Sequence, residues 1–130
     1  MDLHARRTRA GRIAVLALLF AAGVAAAGPS NKWRIEVSGG AESEGVIRLN
    51  VVPEGQPAVV VSVQVPKGTG ENRLAGLIRD ALRAQVGDRY ATEVDDGEDV
   101  LVKKRRGSPA VDLSLAGNTV DGVRLRFDRE

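Results

Sequence analysis

The sequence predicts an α+β domain: a mainly antiparallel, curled sheet of about six or seven strands with one helix, in the order β-β-β-α-β-β-β-β. Two observations carry this. Apolar residues recur at every second position through most of the chain after residue 31, and the period changes to that of a helix once, between residues 69 and 87. Gly, Pro, Asp and Asn cluster between these runs, where turns belong.

Trp33, Ile35 and Val37 alternate with Lys32, Arg34 and Glu36, which places the apolar groups on one face of a first strand that Gly39-Gly40 ends. Ile47, Leu49 and Val51 alternate with Arg48 and Asn50, and Pro53-Glu54-Gly55 closes this second strand. The third spans 58–65, with Val59, Val61, Val63 and Val65 on one face, Ser62 and Gln64 on the other, and Pro66 as its stop. Leu74, Leu77, Ile78, Ala81, Leu82 and Val86 then fall at helical spacing. Thr69 is the expected N-cap, Glu71 lies in the first turn and Gly87 stands at the C-terminal end. Arg73, Asp80 and Arg83 mark the solvated face, and Gly76, which costs about 1 kcal/mol relative to Ala, implies a close packing contact.

Residues 90–94 and 100–104 form a hairpin around Asp95-Asp96-Gly97. A two-residue Asp-Gly turn would put Val94 and Val100 on opposite faces. A three-residue loop of Asp95, Asp96 and left-handed Gly97 keeps Tyr90, Thr92, Val94, Val100 and Val102 together. Two strands follow, with Val111, Leu113 and Leu115, then Val123, Leu125 and Phe127, inward, and a Gly117-Asn118 turn between them. A helix of about 16 residues is about 24 Å long and covers only a few strands spaced about 4.8 Å apart. The remaining apolar faces must meet one another, giving a strongly curled sheet or partial barrel with the helix plugging one side.

Residues 1–27 carry an export signal. Arg6, Arg7, Arg9 and Arg12 form its basic region, an apolar run follows from Ile13, and Ala25-Ala26-Ala27 offers a cleavage site before Gly28. The 15 residues 13–27 fall short of the roughly 20 needed to span a bilayer, which favours cleavage and confines any membrane association to the uncleaved signal. The segment after Arg6-Arg7 lacks the apolar pair of a twin-arginine signal, so general secretion is expected, with residues 28–130 as one domain in the periplasm or outside the cell. The signal holds four of the 19 basic groups and one of the 17 acidic ones, leaving 15 against 16. That near-neutral balance gives no support to nucleic-acid binding.

The chain has no Cys, so neither a lipobox anchor nor a disulfide is available, and its one His, His4, lies in the signal. Ser-His-Asp and Cys-His catalysis and His-ligated zinc are thereby excluded for residues 28–130. No cofactor motif is present: Gly39-Gly40 and Gly68-Thr69-Gly70 match no phosphate-cradling loop.

Val61, Val63, Val65, Gly68-Thr69, Ala75, Ile78, Leu82, Val94, Val100, Val102, Lys104, Gly107, Leu113 and Leu115 follow the pattern of a valine-rich strand, Gly-Thr entry, helix, hairpin and closing strand. In this the run 59–115 resembles a module of bacteriophage tail proteins. The segment 95–107 is similar to small uncharacterised exported proteins of proteobacteria. Neither resemblance brings catalytic residues.

Two groups of residues remain as candidate sites. Asp95, Asp96, Glu98 and Asp99 are oxygen ligands in number, but their crowding in one turn lacks the spacing of a calcium loop, and the Asp-Gly pattern suits a solvated turn. The same carboxylates near residues 93–99 carry the alternative reading, a hydrolase working with carboxylates alone. Arg34, Arg48, Lys103, Arg105, Arg124 and Arg126 all project outward from strands and would form a basic sheet face if those strands were neighbours, with Glu36, Glu93 and Asp112 opposing them. The function this predicts is a small exported, non-enzymatic interaction or structural domain, meeting an anionic envelope polymer or an acidic protein through that face.

Overall fold

The computed structural model describes residues 28–130. The segment 1–27, and with it the expected signal and its cleavage site, lies outside the described residues. Seven strands and one helix follow in the expected order: β1 (Lys32–Ser38), β2 (Gly45–Pro53), β3 (Val59–Val65), α1 (Glu71–Val86), β4 (Tyr90–Asp95), β5 (Asp99–Lys104), β6 (Val111–Asn118) and β7 (Arg124–Arg129). Every ladder is antiparallel. The strands divide into two sheets, of order β4-β5-β1-β7 and β3-β2-β6.

The two sheets share one core. Ile35 and Val37 from β1, Ile47, Leu49 and Val51 from β2, Val61 and Val63 from β3 and Val100 and Val102 from β5 all point into it. α1 lies over the opening, touching β3 of the smaller sheet and β4, β5 and β1 of the larger one. It contributes Leu74, Ala75, Ile78, Leu82 and Val86. Burying each of the four larger side chains fully is worth about 1.5–3 kcal/mol, so this one stripe supplies much of what holds the sheets together. The arrangement is a partial barrel interrupted twice: α1 fills the gap between β3 and β4, and β6 lies beside β7 with no ladder between them. The expected partial barrel with the helix plugging one side is thus present, its wall divided into two sheets where β6 and β7 do not pair.

That second gap leaves two inward-facing residues incompletely covered. Leu115 stands opposite the buried Leu49 and so faces inward, yet it is 42% exposed because no strand covers β6 beyond it. Phe127, opposite Ile35, is half-buried for the same reason. Trp33 limits the opening from below, its indole Nε1 donating to Val111 O at 2.6 Å and so joining the start of β1 to that of β6.

Several local details differ from the sequence reading. α1 is preceded by Gly70, which makes no side-chain cap; Thr69 Oγ1 instead donates to Pro66 O at 2.7 Å. Pro66 holds the chain in a turn there, and the hydroxyl serves that turn. Gly76 meets only the end of the Arg79 side chain, so the expected close packing at this glycine is absent. β6 continues through Gly117 and Asn118, and the turn comes later, closing at Gly122 with φ +86°. A Cβ at Gly39, itself at φ +84°, would collide with the Gly122 main-chain oxygen, so the β1–β2 and β6–β7 loops cross in backbone contact. The hairpin loop has the expected three residues but consists of Asp96, Gly97 and Glu98, with Asp95 paired to Asp99. The pairing is two residues from the expected register, so side chains keep their faces.

Tyr90 is buried and its hydroxyl donates to Pro109 O at 2.9 Å. Burial pushes the phenol above its ordinary value, with the charge of Arg89 pulling weakly the other way. A raised native value favours the protonated phenol, so the stabilisation is complete below the unfolded value of about 10 and is lost as pH rises through the native one. Urea unfolding at about pH 8 and about pH 11 is expected to show the wild type's advantage over Tyr90→Phe shrinking at the higher pH; an unchanged difference would contradict the assignment.

Candidate cationic hollow

Cross-strand register decides what the outward charges become. On the outer face of the larger sheet, one row runs Ala91, Lys103, Lys32, with Glu130 beyond. The next holds Glu93, Leu101, Arg34 and Asp128, and the third Asp95, Asp99, Glu36 and Arg126. Arg124 follows opposite Ser38. Cations and carboxylates are therefore matched across the face as a whole, but they are unevenly distributed along it.

Arg34 sits among carboxylates. Its Nη1 donates to Asp99 at 2.6 Å and to Asp95 at 3.1 Å, and its Nε to Glu130 at 3.3 Å. Hydrogen bonds to Glu130 first, then to Asp99 and Asp95, raise the guanidinium's already high pKa. Arg126 reaches Asp128 through Nε and Glu36 through Nη2, both at 3.0 Å. Of the six cations expected to form the basic face, these two are occupied. Arg124 borders a separate small hollow with Ser38, Gly39 and Gly122. Arg48 lies on β2, opposite Ser62, in the other sheet, and Asp112 lies on β6 beside Val52. Neither joins the face.

Lys103 and Arg105 do come together, around a hollow of about 390 Å³ at the β4 edge. Lys32 enters it from the neighbouring strand and Arg83 from α1, while Glu93 is the one carboxylate on its wall. Ala91 leaves the space open, because its short side chain stands opposite Lys103 where a longer one would fill it. Beneath lies Leu101, only 9% exposed although it faces away from the core. Arg83 Nε donates to Thr92 O at 2.9 Å, and Arg105 Nε to Gly87 O at 2.8 Å. Both guanidiniums are thus anchored at Nε by main-chain carbonyls, and neither lies within 4.0 Å of a carboxylate among the described residues. Lys103 likewise makes no ion pair there, and Lys32 makes one long contact to Glu130 at 3.9 Å. Lys32 and Arg83 are the two members outside the expected basic face, Arg83 being read from the helical pattern as a solvated surface residue. Arg83 stands on the polar side of α1 and reaches β4 only because the helix lies along that strand's free edge.

Lys104, beside Lys103, is engaged elsewhere: its Nζ donates to Ser108 O at 3.2 Å. A larger groove of about 750 Å³ lies where β6 and β7 part, lined by Trp33, Leu113, Leu115 and Phe127 among others. The carboxylates of the β4–β5 turn divide their roles: Asp95 and Asp99 accept from Arg34, Glu93 faces the hollow, and Asp96 adopts φ +53° to make the turn. Among the described residues no group of His, Cys, Asp and Glu gathers as a metal site, and no helix is long and apolar enough to cross a membrane. Neither family models, nor characterised proteins, nor solved structures show a significant match to the chain.

Because Arg34 bridges Asp95 and Asp99, a calcium ion would have to displace it. Calorimetric titration is expected to detect no saturable calcium binding in the micromolar range; such binding, lost in Asp96→Ala, would overturn this.

Proposed function

We propose that residues 28–130 act, after export, as a non-enzymatic interaction domain that binds an anionic partner through the cationic hollow on the outer face of the larger sheet. The observation that supports it most is the local charge: Lys32, Arg83, Lys103 and Arg105 surround the hollow against Glu93 alone. The domain is near neutral, so attraction is local to this end of the face and is not a property of net charge. Pre-anchored guanidiniums lose less side-chain freedom on binding than free ones, and their forks suit planar or tetrahedral oxyanions. An anionic envelope polymer or an acidic protein surface presents such groups. The eight elements share one core within residues 28–130, so this segment serves as the unit for experiment.

Elution of this domain from heparin against salt tests the reading. Lys103→Ala combined with Arg105→Ala is expected to elute clearly earlier than wild type, Arg124→Ala combined with Arg126→Ala only slightly earlier, and Arg48→Ala with wild type. Coincident elution of the first variant with wild type, or release of the wild type below about 0.1 M salt, where the Debye length is about 10 Å, would remove it. For export, the intact mass of the protein recovered outside the cytoplasm is expected to correspond to a chain starting at Gly28. A membrane-bound species retaining residues 1–27 would count against export with cleavage.

A further inference from the structure

We infer that the ligand group of this hollow is a terminal phosphomonoester, held as its dianion; this rests on the anion-binding reading above and names its chemistry. Four cations line the hollow against one carboxylate, and Lys32 alone has a further carboxylate near it, Glu130 at 3.9 Å, so a surplus of between two and three positive charges surrounds one small volume. A carboxylate, a sulfate ester or a phosphodiester brings one negative charge and satisfies little of that surplus. A phosphomonoester brings close to two at neutral pH and three terminal acceptor oxygens.

The donors are disposed to meet those oxygens from several sides. Arg83 is fixed over the β4 edge through Thr92 O, and Arg105 is fixed beyond the end of β5 through Gly87 O, so each presents its terminal Nη groups with Nε already engaged. Lys103 stands between Ala91 and Lys32 in the same row, giving a point charge on this end of the sheet face. The apolar floor of Ala91 and Leu101 offers no competing hydrogen bond. At about 390 Å³, the hollow exceeds the size of a phosphate group alone and accommodates part of the moiety that carries it.

The test titrates residues 28–130 with glycerol 3-phosphate, and with methyl sulfate and acetate as controls, by chemical-shift changes or calorimetry. Glycerol 3-phosphate is expected to bind more tightly than either control, and its affinity to fall about tenfold between about pH 7.5 and about pH 5, as the second phosphate proton with pKa about 6 returns. Methyl sulfate keeps a fixed charge over this range, so it reports any titration of the wall itself, Glu93 included, and is expected to change little. Lys103→Gln should weaken glycerol 3-phosphate about tenfold or more. Arg83 and Arg105 also hold main-chain carbonyls, whereas Lys103 makes no such contact, so its substitution leaves the fold intact and the measurement interpretable. Vesicles identify the source of the group: binding to phosphatidate but not to phosphatidylglycerol indicates a lipid headgroup, and binding to soluble glycerol 3-phosphate without either vesicle indicates a free phosphorylated metabolite.

Equal affinity for glycerol 3-phosphate and methyl sulfate at about pH 7.5, or equally strong binding to the phosphatidate and phosphatidylglycerol vesicles, would overturn the phosphomonoester assignment. If heparin retention still depended on Lys103 and Arg105, anion binding would stand without it. Binding of none of these anions, with heparin elution unaffected by the same substitutions, would remove both.

Discussion

One helix has to close a core built by two sheets, and most of the molecule follows from that constraint. Neither sheet is self-sufficient: the smaller has three strands and the larger four, and each has an apolar inner face that needs a partner. α1 alone touches both at the β3–β4 side. Its entry is therefore secured by contacts away from its own turns. Ala41 N donates to Thr69 O and Gly68 N to Ala41 O, each at 2.8 Å, and Gly39 N donates to Glu71 Oε2 at 2.8 Å. The β1–β2 loop thus clamps the start of the helix, which explains how α1 begins firmly at a glycine that offers no capping oxygen. The same loop crosses Gly122 on the far side, so one segment ties the helix to both ends of the barrel-like wall.

The inward set of side chains was largely legible because strand faces depend only on parity. The hairpin shows why this is robust: the loop moved by one residue and the pairing by two, and Val94 and Val100 remained on the inner face. What parity cannot specify is which strands are neighbours. Leu115 was assigned to the correct face but to the wrong environment, since exposure there depends on whether β7 pairs with β6. Thr69 and Gly76 failed differently. Each was interpreted through a local rule, whereas the hydroxyl found a nearer acceptor in Pro66 O and no neighbouring main chain approaches the glycine.

The candidate site was half legible for the same reasons. Lys103 on β5 and Arg105, just past its end, keep the period of two, so their common face could be read directly. The neutralisation of Arg34 and Arg126 could not, because it requires knowing that β7 pairs with β1 and that the chain returns there with Asp128 and Glu130. Arg83 was less accessible still. Its role arises from the position of α1 along an unpaired strand edge, where Thr92 O is free to accept its Nε.

That last contact links fold and site through a single physical cause. β4 is an edge strand whose outer carbonyls have no further strand to bond, and an unpaired edge invites association with other chains. Arg83 covers part of it by donating to Thr92 O, and Arg105 similarly covers Gly87 O just after the helix. Each arginine satisfies a main-chain acceptor and, in doing so, is held in place with its terminal nitrogens directed away from that acceptor. The protection of the backbone and the assembly of the cationic hollow are consequently the same interactions. The helix that closes the core also sets the position of Arg83, β5 sets that of Lys103, and Gly87 O holds Arg105 just past the end of β5. A near-neutral domain can in this way concentrate positive charge in one place without a basic sequence overall, since the carboxylates that balance it lie one and two rows away, where Arg34 and Arg126 engage them.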